Sequence, residues 1–510
     1  MTTEDISQAK VIAFLSDPKT HGGAPVECIS THGAHVFLAG DRAYKLKRAV
    51  KFSFLDFSTA EKRRAMLETE LHINAGSAPD IYLKVRSIGI NSGGHLQFDA
   101  EPGIEWVLEM RRFNQSALLD DIARRGELDE KIIDDLAAAI AACHRRAPVK
   151  QQSISQTFAA MALENVTGAA AGNRKAARLE TELRRACASD AAFLDDRSGC
   201  GFVRRCHGDL HLRNIVLLDK EPVPFDALEF DDALATGDVY YDLAFLLMDL
   251  DHRALRPLAN RLLNRYVILT DDLEGLRGLP LFLAVRAAIR AKVTAISAET
   301  AATPGARQDL LKESASYLDL ANTYLPPSTP CLVGIGGLSG TGKSAVAAGL
   351  APDIAPAPGA LTLRSDIFRK RLAGVAETDR LPATAYTPES HARVYRTLLT
   401  VTQRALGAGH SVIVDAVFAD MEERTAVEEV AAQHGVRFVG LWLDASLDAR
   451  LNRVGRRIGD ASDANASVVQ KQERYALGDL TWSKIDAGGA LADVQRAALA
   501  AVRERFEGAR

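Results

Sequence analysis

The run Cys331-Leu332-Val333-Gly334-Ile335-Gly336, followed at once by Gly337-Leu338-Ser339-Gly340-Thr341-Gly342-Lys343-Ser344, constrains the fold of this chain more than any other stretch. An apolar strand, a loop of the form G-x-x-x-x-G-K-S and a helical run from Ala345 to Leu350 make a strand–loop–helix unit, and such a strand belongs in a buried parallel sheet. Gly337, Gly340 and Gly342 let backbone N–H groups wrap phosphates, with Ser339 and Thr341 between them, and the following helix N-terminus favours the anion. Lys343 then reaches the β- and γ-phosphates, and Ser344 is a magnesium ligand.

Residues beyond the loop continue the same chemistry. Leu361 to Asp366 reads as a strand ending in an acid, and Asp366 there either faces the γ-phosphate as a base toward a substrate hydroxyl or simply caps the next helix. Arg369, three residues on, is placed to hold an anionic substrate group. Ser411 to Asp415 is a second buried strand ending in an acid, which puts Asp415 near magnesium, and Phe438 to Leu443 is a third. Arg450, Arg453, Arg456 and Arg457 crowd the region beyond it. Arg453 and Arg457 suit a small lid over transferring phosphate, with a solvated basic helix face as the competing reading.

The earlier part of the chain carries a different constellation. Cys206-His207-Gly208-Asp209-Leu210-His211-Leu212-Arg213-Asn214 has the form H-x-D-x-x-x-x-N, in which the Asp deprotonates the attacking hydroxyl and the Asn holds magnesium. Twelve residues later a short apolar strand ends in Asp226. A hairpin turning at Asp219-Lys220-Glu221 would bring Asn214 and Asp226 to one end as a pair of oxygen ligands. Upstream, Arg42-Ala43-Tyr44-Lys45 opens an alternating strand with Ala43, Lys45 and Lys47 on one face, where Lys45 reaches phosphates or is an edge lysine in water. A charged helix over 58–75 should supply its glutamate partner, Glu70 first and Glu68 as the fallback. Glu109 and Met110, ending an apolar strand, stand where a hinge would offer backbone groups to adenine, or are plain core. The loop Thr31 to His35 lacks G-x-G-x-x-G and reads as a hairpin turn. Asp238 and Asp242 read as supporting acids that hold the Asp209 loop.

At 510 residues, with 47% hydrophobic and 25% charged residues, the chain needs more than one core and has ordinary soluble composition. A net charge of −4 gives no ground for a nucleic-acid-coating or membrane-surface protein. The six cysteines form no C-x-x-C pair, against a zinc site or disulfide scaffold. With no basic leader and no long uncharged apolar run, a cytoplasmic protein is expected. Pro326-Pro327-Ser328-Thr329-Pro330 reads as a stiff linker over 326–330 between domains at 1–325 (lobes about 22–110 and 111–325) and 331–510.

On Ala43-Tyr44-Lys45, His207-Gly208-Asp209…Asn214, Phe225-Asp226 and Asp238…Asp242-Leu243-Ala244, residues 22–325 resemble the aminoglycoside phosphotransferase/choline kinase-like family. The resemblance implies Asp209 as catalytic base and Asn214 and Asp226 as metal ligands, though the phosphate loop is glycine-poor and no aminoglycoside-binding acidic tail is identifiable. Residues 331–510 are similar to AAA-type P-loop kinases related to zeta toxins, gluconate kinase and phage polynucleotide kinase, the last through Asp366 and Arg369. The expected fold is an α+β bilobal kinase-like domain followed by an α/β P-loop domain with a parallel sheet. The expected function is tandem phosphotransfer from ATP or GTP with magnesium to hydroxyls of small molecules, with a nucleotide or RNA end as acceptor only for the P-loop half. The alternative is one catalytic half gated by a nucleotide-sensing partner half.

Overall fold

The computed structural model describes residues 8–31, 33–52, 55–170, 173–326, 328–456 and 459–507. Packing divides the chain into two compact units, Met1–Ile154 with Asp195–Leu246, and Ser155–Leu194 with Leu247–Arg510.

The first unit is α+β in architecture. Its six-stranded antiparallel sheet runs in the order Val26–Ser30, Ala34–Ala39, Arg42–Lys47, Gly103–Arg111, Tyr82–Ile90, Leu96–Phe98. Period two along Arg42–Lys47 sends Tyr44 and Leu46 into an apolar cluster with Val11, Leu15, Phe37, Ile88 and Val107. Ala43, Lys45 and Lys47 take the opposite face. The helix Ala60–Ala75 begins where the Thr59 side chain accepts from Lys62 N. It buries Arg63, Leu67, Glu70 and Asn74, spaced by four, three and four residues along one stripe. Strands Tyr82–Ile90 and Leu96–Phe98 are additions to the sequence reading. Tyr82–Ile90 mixes charges with apolar groups and its burial alternates only loosely, while Leu96–Phe98 is only three residues long.

Beyond this sheet, Ile215–Leu218 and Glu221–Pro224 form an antiparallel hairpin with Ile215 opposite Pro224. Asp219 and Lys220 at its turn take φ of 50° and 73°, the left-handed pair a two-residue hairpin loop demands.

The second unit holds a five-stranded parallel sheet in the order Leu361–Arg364, Val412–Asp415, Cys331–Gly336, Arg437–Asp444, Ser483–Asp486. Val333, Ile335, Ile413 and Leu441 fill one face against Val346, Ala347 and Leu350 of the helix Lys343–Leu350 and Val494, Ala498 and Val502 of the helix Leu491–Glu507. Parallel strands need helical crossovers, and both faces are then apolar, as the near-continuous burial of Cys331–Gly336 and Val412–Asp415 records. Among the described residues no helix is long and apolar enough to cross a membrane.

Candidate active sites

Lys45 is the centre of the first site. Its Nζ donates to Glu70 Oε1 at 2.6 Å and to Asp226 Oδ1 at 2.8 Å, although Asp226 lies 181 positions away. Glu70 is fully buried, whereas Glu68 pairs on the outer side of the same helix with Arg64. Burial works against the charge on Lys45, but Asp226, Glu70 and Glu229 raise its pKa well above the ordinary value. Burial likewise opposes the charge on Asp226, and Lys45 outweighs it to hold that carboxyl below the usual range.

The hairpin accounts for the meeting of loop and acid. Phe225 N donates to Asn214 O at 2.9 Å, which closes the pairing and leaves Asp226 just past it, in a left-handed conformation with φ of 59°. Its N–H donates to Tyr82 Oη at 2.9 Å. Asn214 Nδ2 donates to Asp209 Oδ2 at 2.9 Å and to Asp209 O at 3.0 Å, so Asp209, Asn214 and Asp226 share one end of the hairpin. Their oxygens are the hard donor set that suits magnesium.

The loop itself is pinned from behind. Asp242 accepts from Gly208 N at 2.7 Å and His207 N at 3.3 Å, and the His144 ring lies 3.1 Å from the same carboxylate. His144, Cys206 and Asp242 bring ligand-type atoms together, but Asp242 gives both oxygens to the loop backbone. His207 Nε2 lies 2.9 Å from Phe225 O, which only accepts, so that nitrogen carries the proton; Asp209 N donates to Nδ1 at 3.3 Å. The ring is the neutral tautomer, consistent with burial lowering its pKa. Asp238 accepts from Tyr240 N at 2.8 Å and pairs with buried Arg197.

Glu109 and Met110 lie inside the strand Gly103–Arg111, paired to Tyr44 and Ala43 on one side and to Lys84 and Tyr82 on the other. The sheet takes up their backbones, and the Glu109 carboxylate meets Arg42 at 3.3 Å and Arg86 at 3.5 Å. The half-buried Met110 side chain packs beside Leu67, Tyr82 and Leu108.

The second site lines an open cleft of about 1350 Å³ in the second unit. Gly337 and Gly340 have φ of 142° and 89°, and a Cβ would lie 2.6 Å from Leu443 O and 2.7 Å from Arg450 O respectively, so the loop's course requires glycine. Gly342, with φ of 93°, leads into the helix. Lys343 Nζ donates to Gly337 O at 2.8 Å, across the concavity of the loop. Ser344 Oγ donates to Asp415 Oδ2 at 2.5 Å, joining the two oxygen donors expected for magnesium. Thr341 Oγ1 donates to Leu338 O, and Ser339 N donates to Gln472 Oε1 at 2.7 Å.

Asp366 opens the helix Ser365–Ala373 on the cleft wall. Burial first, and the Asp415 charge second, raise its pKa above the ordinary carboxylate value. Arg369 is 8% exposed and rests 4.9 Å over the Tyr386 ring. Its Nη2 reaches His391 Nδ1 at 3.4 Å, while Nε and Nη1 have no hydrogen-bond partner among the described residues. Arg453 donates to Thr341 O at 3.2 Å and to Ala487 O at 2.7 Å, bracing the phosphate loop from its side. Arg450 is tied to Glu473, and Arg457 lies outside the described residues.

Two further sets escaped the sequence reading. Lys47, two residues after Lys45 on the same face, meets Glu70 Oε2 at 2.6 Å and also pairs with Glu229. Buried Lys370 pairs with Asp463 on the cleft wall at 2.7 Å, and Asp463 also accepts from Tyr386 Oη and Leu381 N, fastening Asp463 to the helix of Asp366. Period two was the available signal for Lys47; nothing local announces Asp463.

Residues 106–279 match the model of the phosphotransferase enzyme family, and residues 332–477 match an AAA domain. The uncharacterized protein Rv2004c of Mycobacterium tuberculosis (strain H37Rv) is 30% identical over 478 residues, covering 91% of this chain and 93% of that protein; Mb2027c of Mycobacterium bovis matches to the same extent. Among solved structures, a choline/ethanolamine kinase family protein from Mesorhizobium loti aligns with 62% of this chain and 98% of its own, at 14% identity and a TM-score of 0.38. A gluconokinase from Sinorhizobium meliloti aligns with 36% of this chain and 97% of its own, at 21% identity and a TM-score of 0.26.

Proposed function

From the premise that this chain belongs to the family of the mycobacterial proteins it matches, with a phosphotransferase-family segment followed by an AAA-domain segment, we propose that each segment transfers the γ-phosphoryl group of ATP or GTP to a hydroxyl. The observation that carries the reading is the same in both halves: a carboxylate, Asp209 or Asp366, shares its site with a lysine and a pair of hard oxygen donors.

In the first half, Lys45 contacts the nucleotide phosphates, Glu70 holds Lys45 in place, and Asn214 and Asp226 hold magnesium. Asp209 accepts the proton of the attacking hydroxyl. Met110 and the end of its strand, after Glu109, border the base. In the second half, backbone N–H groups of Gly337 to Ser344 surround the phosphates, Lys343 spans the β- and γ-phosphates, and Ser344 and Asp415 hold magnesium. Asp366 takes the acceptor's proton, Arg369 uses its unpartnered donors to grip an anionic group on the acceptor, and Arg453 braces the phosphate loop beside the nucleotide. Magnesium, when bound, supplies charge neutralisation on the transferring phosphates. Positioning and charge complementarity supply the rest of the rate.

The acceptors are small hydroxyl compounds, with a nucleotide or RNA end reserved for the second half. Phosphate transfer from γ-labelled ATP into a metabolite extract tests the proposal, comparing wild type with Asp209→Ala and Lys343→Ala. Each variant should lose its own set of labelled products. Labelling that persists unchanged in both would overturn it.

A further inference from the structure

The edge of the parallel sheet next to Asp366 is completed by a helix. In Leu361–Arg364, the outermost strand, the backbone turned away from Val412–Asp415 would ordinarily be left unpaired, and exposed strand edges are sites of slippage and aberrant pairing. Here the buried carboxamide of Asn264, on the helix Arg256–Thr270, occupies that edge. Thr362 N donates to Asn264 Oδ1 at 2.6 Å, and Asn264 Nδ2 donates to Ala360 O at 3.3 Å. One acceptor and one donor aimed at residues two apart on a strand is what a neighbouring strand's backbone would supply, so a single side chain stands in for a sixth strand. The partners also fix which end of the amide is oxygen.

Asn260, one turn earlier and 4% exposed, donates to Ala360 O at 3.0 Å. A Cβ at Gly359 would lie 2.7 Å from its Nδ2, so glycine admits the approach. The same helix is tied to the second half by Arg265 to Glu377 at 2.6 Å. Asp271, at the helix C-terminus, meets Arg404 at 2.9 Å and Arg371 at 3.8 Å. Arg371 is on the helix Ser365–Ala373 that carries Asp366 and Arg369, so strand and helix are gripped on either side of the proposed base. Arg364, at the strand's end, reaches Asp460 at 2.8 Å and Asp415 at 3.6 Å, which extends the grip toward the proposed metal ligands.

We propose that Asn264, seconded by Asn260, is a positioning residue for transfer at the P-loop site: a helix from within the phosphotransferase-family stretch sets the place of Asp366 in the AAA-domain stretch. The inference rests on the reading of Asp366 as base. The strand Cys331–Gly336 and the phosphate loop are two strands further into the sheet, so the loop that surrounds the phosphates is further from this edge than the helix of Asp366 is.

The test uses the full chain in an Asp209→Asn background, with Mg·ATP hydrolysis as the readout and water standing in for the acceptor. Asn264→Leu keeps the side-chain shape and removes both hydrogen bonds to the strand, along with those to Asn260 O and Oδ1; Asn264→Ala removes shape as well. Both should lower kcat by about 10-fold or more while KM for ATP stays within about twofold, since a displacement of about 1 Å at a reacting group costs that much or more. Amide exchange over 360–366 should quicken, with Cys331–Gly336 unchanged. Full kcat in Asn264→Leu, or faster exchange without any loss of turnover, overturns the inference in favour of a purely structural contact. So does a fall in kcat accompanied by faster exchange throughout the sheet. Absence of any turnover sensitive to Lys343→Ala in the wild type would instead remove the phosphotransferase reading of this half.

Discussion

Lys47 shows how much of the first site depends on charge held out of water. Its side chain is 3% exposed, and it divides itself between Glu70 and Glu229, whose own pKa is raised by burial and by the Glu70 charge. Removing one partner of a buried pair strands the other, so Lys47→Met should destabilise the fold by about 3–5 kcal/mol, read as a lowered midpoint in thermal or urea unfolding. A replacement costing no more than a surface pair would show that water enters the cluster. Asp209→Asn, by contrast, keeps an oxygen to accept from Asn214 Nδ2 and should unfold like wild type, yet lose about 10²–10⁴-fold in turnover at the first site. At this scale the sequence was legible where a motif fixes spacing, as for Asp209 and Asn214. It was silent where partners are brought together only by the fold: Glu229 stands near Lys47 because the hairpin returns the chain there, and no local pattern marks it.

Elements were legible in proportion to their apolar periodicity. Cys331–Gly336 and Val412–Asp415, buried at every position, declare themselves as inner parallel strands, whereas Ser483–Asp486 buries only Ile485 and carries no such signal. The helix Ala60–Ala75 is a different case, because its buried stripe contains Arg63, Glu70 and Asn74, and charge conceals which face is inward. The phosphate loop makes a sharp prediction. Gly337→Ala brings a Cβ onto Leu443 O in a backbone region costing other residues about 1–3 kcal/mol, and ATP binding at this loop, followed by calorimetry, should be lost. His410 makes another. Fully buried just before Val412–Asp415, it bonds to Gly359 O at 3.0 Å, and burial lowers its pKa from 6.5 to about 4. Below pH 6.5 the unfolded chain binds a proton that the folded chain refuses, so stability should decline as pH falls from 6.5 toward 4, by about 3 kcal/mol in all. His410→Gln, which keeps a donor for Gly359 O, should flatten that part of the stability–pH curve; an unchanged slope would place its origin elsewhere.

At the scale of the whole molecule, each candidate site is complete within one packed unit. Lys45, Glu70, Asp209, Asn214 and Asp226 fall in Met1–Ile154 with Asp195–Leu246, and the loop of Lys343 with Asp366, Arg369 and Asp415 falls in the other unit. The proline-rich stretch 326–330 marks where the chain's chemistry changes, yet packing draws the helical residues 247–324 to the parallel sheet beyond it, through buried polar groups such as Asn260 and Asn264 that apolar patterning does not reveal. Sites with no shared hydrogen-bond partner perturb one another little, and their free-energy changes add. If both halves transfer phosphate, then Asp209→Asn should leave Lys343-dependent turnover within about twofold of wild type, Lys343→Ala should leave Asp209-dependent turnover equally intact, and the double variant should lose both activities, each by the factor its own single variant shows. A gated pair behaves otherwise: Lys343→Ala would then change turnover at Asp209 by more than that margin, with no reciprocal chemistry of its own. Initial rates of the four proteins against ATP concentration, with products resolved, separate two working transferases from one transferase and its sensor.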